Sequence, residues 1–227
     1  MKSKGHFILA AIYALAAIIL IILVSFVDVA DIGPAGTSIG LSHINKFFFD
    51  LLGVNQIWYV ITDWLGFVAI LTALMFAVTG LIQLIRRKSL LKVDKELFCL
   101  GGLYIVVIGM YALFEFAVVN YRPVLMPGSS TPEASFPSSH TMLVCVIMGS
   151  AVILMDKYIK SRGLRTALKW VCWFIILLTL SGRLISGVHW FTDIIGGVLI
   201  STLLLSLFSG IIERIGDHEK NDCLLRA

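Results

Sequence analysis

Charge is scarce in this chain. Of its 227 residues only 14% are Asp, Glu, Lys or Arg, against 59% hydrophobic, and the mean hydropathy is +0.96. A soluble domain carries about 25% charged and about 45–50% apolar residues. A water-soluble sphere could not hide this much apolar surface, so lipid is the expected solvent. Cysteine is scarce too. Cys99, Cys145, Cys172 and Cys223 show neither a C-x-x-C pair nor zinc-type spacing, which leaves them as small apolar fillers. No group of Asp, Glu and His has metal-ligand spacing, so neither metal nor cofactor is expected. There is no internal repeat and no low-complexity tract, and the length suits one membrane-embedded domain, 1–227.

What the chain has instead is long apolar runs. Residues 7–27 are uncharged and long enough to cross a hydrocarbon core of about 30 Å. The run follows Lys2 and Lys4, as a secretory signal would. It exceeds the roughly 7–15 residues of a signal core, however, and Asp28-Val29-Ala30 makes a poor cleavage site, so it reads as a retained helix. Further spans are expected at 65–85, 97–119, 139–155, 168–184 and 193–212, giving an all-α bundle of six transmembrane helices. Between the first two, 41–52 reads as a short amphipathic helix lying at the interface.

The basic residues sort by side. Lys2, Lys4, Arg86, Arg87, Lys88, Lys92, Lys95, Lys157, Lys160, Arg162, Arg165, Lys169, Arg214, Lys220 and Arg226 fall on one side of the expected bilayer; only Lys46, Arg122 and Arg183 fall on the other. Positively charged loops stay in the cytoplasm, which places both termini there, most simply in the plasma membrane. This also explains the pI near 8.9 as topology and removes the reason to expect nucleic acid as a partner. Nothing in the sequence speaks to oligomeric state.

The outward ends of spans three to six collect unusual residues: Arg122, Ser138, Ser139, His140, Arg183, His189 and Asp193. An ionisable group at a helix centre costs roughly 2.5–3.5 kcal/mol on insertion scales, and such groups normally face a wet or protein-lined functional cavity. His189 and Asp193 are four apart, so on a helix they share a face. A carboxylate on one imidazole nitrogen would fix the tautomer and leave the other free as a nucleophile. Pro137-Ser138-Ser139-His140 reads as a helix start with serine as N-cap, whose free N–H groups favour an anion such as phosphate. His140 there suits a general acid. Arg122 offers a planar fork for phosphate oxygens. Together these groups could support in-line phosphoryl transfer without metal.

The three clusters resemble the signature of the type 2 phosphatidic acid phosphatase and vanadium haloperoxidase superfamily: Lys, six residues, Arg-Pro; then Pro-Ser-Gly-His; then Ser-Arg, five residues, His, three residues, Asp. Here Arg122-Pro123 matches the end of the first, Pro137-Ser138-Ser139-His140 nearly matches the second, and Arg183, His189 and Asp193 meet the third at its spacing. The motif region runs over 115–193. The resemblance implies a membrane lipid phosphatase. In it His189 attacks phosphorus, Asp193 orients it, His140 protonates the leaving group, and Arg122, Arg183, Ser138 and Ser139 hold the phosphate. The implied partners are the bilayer and a lipid phosphate, either a monoester or a diphosphate: undecaprenyl diphosphate, phosphatidic acid or phosphatidylglycerol phosphate. Haloperoxidase activity belongs by resemblance to soluble relatives, from which six spans separate this chain. A phosphotransferase would use the same residues, and a non-catalytic lipid-binding or transport protein could keep the scaffold.

The sequence departs from the signature at Ser139, which replaces Gly, at Gly182, which replaces Ser, and at Glu115, which replaces the phosphate-binding Lys. Glu115 and Arg122 are seven apart, two helical turns on one face, where they could form an ion pair. Otherwise Glu115 alters phosphate binding or selects a cationic head group. The remaining polar and aromatic residues take plainer readings. His43, His218 and Asp63 are interfacial. Trp58, Tyr59, Trp64, Tyr121 and Trp190 form an aromatic belt, with Trp190 also a wall of the site. Gly101-Gly102 and Gly196-Gly197 are helix-packing points.

Overall fold

The computed structural model describes residues 2–126 and 128–226, with side chains over 3–126 and 128–218. The Lys2, Lys220, Cys223 and Arg226 side chains named above lie outside these. Among the described residues seven α-helices follow one another: α1 (Lys2–Phe26), α2 (Ser42–Leu52), α3 (Gln56–Arg87), α4 (Lys95–Phe116), α5 (Ser139–Tyr158), α6 (Arg162–Ile185) and α7 (Phe191–Arg226). All but α2 are long and apolar enough to cross a membrane. The architecture is the all-helical, six-span bundle expected, with α2 as the short helix between spans one and two.

Burial is inverted relative to a soluble protein. In the apolar stretch of α5, 61% of residues are buried, against 11% in α3. α5 is therefore the central post, and α3, α4, α6 and α7 pack around it while α1 packs outside on α7. Glycine sets the closest of these approaches. A Cβ on Gly196 would lie 2.4 Å from the Phe136 ring, and one on Gly197 would lie 2.8 Å from Thr141 Cγ2. This pair lets α7 meet the start of α5, as expected. Gly101 and Gly102 have no neighbour within 4 Å of a built Cβ and are not packing points. Gly101 instead lines an apolar groove of about 340 Å³ between α3 and α4.

The helix ends have local causes. Asn55 caps α3, its side-chain oxygen accepting from Ile57 N at 3.0 Å and Trp58 N at 3.2 Å. α3 thus begins nine residues before the expected span, at Gln56 rather than Leu65. Asp63, placed by the sequence at the interface, is consequently held within a helix. Leu41 precedes α2 with φ 47° and no side-chain cap. Asp28 serves instead, accepting from His43 N at 2.9 Å and Ser42 Oγ at 3.0 Å. The His43 amide, followed by its ring and Ser42, holds the Asp28 carboxyl below its usual range.

α4 ends at Phe116, three residues before the expected 119, and the chain returns in a small loop over the bundle. Arg122 N donates to Glu133 O at 3.0 Å and Ser135 N to Asn120 O at 2.9 Å, with Tyr121 and Ala134 bridged. At the opposite end of the bundle, Lys157 meets the buried Glu96 at 2.6 Å and Arg87 meets Asp94 at 2.8 Å. The basic loops therefore sit together, and the start of α5, with His140, lies at the other end of that helix.

Candidate active site

Three local structures deliver the motif residues to one end of the bundle. The returning loop brings Arg122 and Ser135, the first turn of α5 brings Ser139 and His140, and the turn between α6 and α7 brings His189 and then Asp193. This last turn is braced from outside. Gly187, at φ 69°, lies so close to the α2–α3 junction that a Cβ would stand 2.3 Å from Gly53 O. Asn55 N donates to Ser186 O at 3.2 Å. Asn45 of α2, fully buried, donates to Thr192 Oγ1 at 3.0 Å and accepts from Thr192 N at 3.1 Å. Phe48 stacks on Phe191 with centroids 4.3 Å apart. The short amphipathic helix is thus also a buttress for the start of α7.

His189 is buried. Its Nδ1 lies 3.1 Å from Ser135 O. A carbonyl oxygen only accepts, so this hydrogen bond puts the hydrogen on Nδ1 and leaves the lone pair on Nε2. Nε2 has no hydrogen-bond partner. Burial pushes the imidazole well below its ordinary pKa, and the positive charges of Arg183, Arg122 and His140 push the same way. The ring is therefore neutral at neutral pH.

Asp193 does not hold His189 as expected. His189 precedes α7 rather than lying on it, and its Nδ1 is 3.7 Å from Asp193 Oδ2, beyond a hydrogen bond. Asp193 Oδ2 accepts from Trp190 N at 2.8 Å and, closely, from Ser135 Oγ. Ser135 Oγ is in turn 3.3 Å from His189 Nδ1. The carboxylate reaches the imidazole through Ser135 and through the turn. Ser135 has no counterpart in the sequence motifs, and its small hydroxyl carries no signal of this role.

The two arginines are both paired. Arg122 Nε lies 3.3 Å from Glu133 Oε2. The two-turn pairing with Glu115 does not form because α4 stops between them. Glu115 and Arg122 nevertheless line one narrow cleft together with Ser139 and His189, with space of about 10 Å³, roughly one water. Arg183, only 1% exposed, donates from Nη1 to Asp63 Oδ1 at 3.1 Å and Thr62 Oγ1 at 3.2 Å. It lies 5.1 Å from the Tyr59 ring centroid, and its Nε has no partner. His140 Nε2 lies 3.0 Å from Asp63 Oδ1. Asp63 is thus part of the cluster, brought there by the early start of α3.

The serines divide. Ser138 is fully buried; its side chain caps α5 by accepting from Thr141 N at 3.5 Å, and its own N–H goes to Asp193 O at 3.0 Å. It is committed to structure. Ser139 lines both the narrow cleft and an apolar groove of about 330 Å³, which reaches Ile70 of α3, Val107 of α4 and His140. Gly182 has a steric reason. A Cβ there would lie 2.6 Å from Thr62 Cγ2 and 2.9 Å from Trp58 Cε3, so α3 fills the space a serine would need. Trp190 is 2% exposed and donates from Nε1 to Tyr121 O at 2.7 Å, tying down the Arg122 loop rather than joining an aromatic belt. Among the described residues, no three His, Cys, Asp or Glu side chains gather as a metal would need.

Comparison with known proteins agrees with this architecture. The PAP2 superfamily model matches residues 116–217, the stretch from the end of α4 into α7. A solved structure described as the first transmembrane PAP2 type phosphatidylglycerolphosphate phosphatase from Bacillus subtilis aligns with a TM-score of 0.61 at 18% identity, covering 91% of this chain and 97% of that one. No curated protein matches. The motif geometry, the family model and the shared membrane fold converge: residues 116–217 match the PAP2 superfamily, and the chain has the fold of a transmembrane PAP2 type phosphatase.

Proposed function

We propose that the protein is an integral membrane phosphatase that hydrolyses a lipid phosphate, monoester or diphosphate, through a phosphohistidine at His189. The observation that carries this is the His189 ring. It is neutral, anchored at Nδ1 by a backbone carbonyl and unpartnered at Nε2, which is the state a nitrogen nucleophile needs. The Nε2 lone pair attacks phosphorus, the phosphorus–oxygen bond to the lipid breaks, and the leaving oxygen takes a proton from His140. Water then attacks the phosphohistidine and gives a proton back to His140, the phosphorus–nitrogen bond breaks with its electron pair returning to Nε2, and inorganic phosphate leaves.

Arg122 and Arg183 stabilise charge on the equatorial oxygens, with Ser139 beside them. Asp193 keeps Ser135 and the His189 turn in place. Arg122 Nε has no hydrogen-bond partner beyond its 3.3 Å ion-pair contact with Glu133, and the Nε of Arg183 is available without breaking its contact to Asp63. The apolar groove beside His140 supplies the path for a lipid chain, so the head group can react while the tail stays in the bilayer. With the basic loops in the cytoplasm, the site faces outward, where undecaprenyl diphosphate exposes its phosphates; that lipid is the first substrate to test.

Purified protein assayed for phosphate release from undecaprenyl diphosphate, phosphatidic acid and phosphatidylglycerol phosphate should show turnover that His189→Ala abolishes. Equal release by both proteins overturns the reading.

A further inference from the structure

We propose that Asp63 is a positioning residue that sets His140 and Arg183 for the reaction, a role assigned by geometry and resting on the phosphatase reading above. One carboxylate oxygen, Oδ1, lies 3.0 Å from His140 Nε2 and 3.1 Å from Arg183 Nη1. Asp63 stands on α3, outside the three motifs and outside residues 116–217 matched by the family model.

The face of α3 that carries it is shaped for the task. Thr62, one residue before, also accepts from Arg183 Nη1. Gly66, one turn on, leaves room for the imidazole: a Cβ there would stand 3.3 Å from His140 Cδ2. Among the described residues, Asp63 is the carboxylate in salt-bridge contact with either cationic partner.

The chemistry follows from the acceptor. A carboxylate oxygen accepts, so His140 Nε2 keeps its hydrogen and the proton to be delivered resides on Nδ1. A carboxylate in contact with Nε2 favours the form of the ring that carries a second hydrogen. On transfer, the electron pair of the breaking phosphorus–oxygen bond goes to the leaving oxygen, the Nδ1 hydrogen follows it, and the imidazole returns to neutral with Nε2–H still on Asp63. The same carboxylate fixes one nitrogen of Arg183 and leaves Nε free for phosphate.

The full-length enzyme should be compared on two substrates, a long-chain alkyl phosphate, whose alkoxide needs a proton to leave, and 4-nitrophenyl phosphate, whose phenolate does not. Asp63→Asn should lower kcat/KM on the alkyl phosphate by about 100-fold, within the range of general-acid contributions, and on the aryl phosphate by less than about tenfold. In a His140→Ala background the same change should no longer alter the alkyl-to-aryl ratio. Equal losses on both substrates would reduce Asp63 to a structural ion pair and overturn the proposal. A gain in kcat/KM would make it a plug on Arg183 and also overturn it. If Asp63→Asn loses its cooperative melt, Asp63→Glu serves: the ratio should fall because the carboxylate has moved, and an unchanged ratio refutes the role. Wild-type enzyme inactive on both substrates would defeat the phosphatase reading itself.

Discussion

His189 shows how burial sets the working range of a single side chain. Its neutral form persists well below the ordinary value of 6.5, so kcat/KM for phosphate release should show no acid limb near that pH; a pH–rate profile checks this. The sign for stability is the reverse. As pH falls below about 6.5, the unfolded chain takes up a proton that the folded chain refuses, so folding stability declines, and thermal melts above and below that pH should show it.

Gly182 makes a second residue-scale prediction. Restoring the family serine places a Cβ against Thr62 and Trp58, and overpacking of this kind costs about 1–3 kcal/mol. Gly182→Ser should therefore lower Tm rather than raise activity. Glu115 shares its cleft with Arg122 and His189 and has no place in bond cleavage. One unit-charge contact is worth about 1 kcal/mol at 4 Å in water, so replacing repulsion with attraction is worth about 2 kcal/mol, and Glu115→Lys should lower KM for a lipid phosphate without a cationic head group by more than about tenfold. A rise in KM confined to a lipid phosphate that carries a cationic head group would instead show that Glu115 recognises that group.

At the scale of elements, α2 stands out. Its amphipathic pattern was plain in the sequence, but its docking was not, because Asn45 reads as an ordinary polar residue of the wet face. In the fold Asn45 makes paired contacts to Thr192 at the start of α7. Asn45→Ala leaves Thr192 N–H buried and unpaired, which costs about 1–3 kcal/mol. The variant should lose both Tm and kcat, since the turn it supports holds His189. The early start of α3 is a similar case. Hydropathy placed the span at the apolar stretch after Trp64, whereas capping by Asn55 adds more than two turns before it, and those turns carry Thr62 and Asp63.

The whole molecule is a bundle whose apolar exterior is its solvent-facing surface and whose polar chemistry is gathered at one end. Sidedness is a property of this scale. A membrane-impermeant thiol reagent applied to intact cells should label Ser130→Cys, in the loop over the site, above the wild-type background. It should not label Lys88→Cys, in the basic loop at the other end. The opposite pattern would place the site in the cytoplasm.

Six spans, the charge asymmetry and the residues of three motifs are legible in the chain alone, because hydropathy, loop charge and fixed spacing are written along it and need no partner. Who touches whom is settled by the fold. Asp193 meets Ser135 rather than His189 directly, Arg122 pairs with Glu133 instead of Glu115, Ser138 is spent on a cap, and Asp63 reaches both His140 and Arg183. These contacts join residues up to 120 positions apart on different helices and loops. They depend on where each helix starts and stops and on how closely glycines let neighbours approach, which no single stretch of sequence specifies.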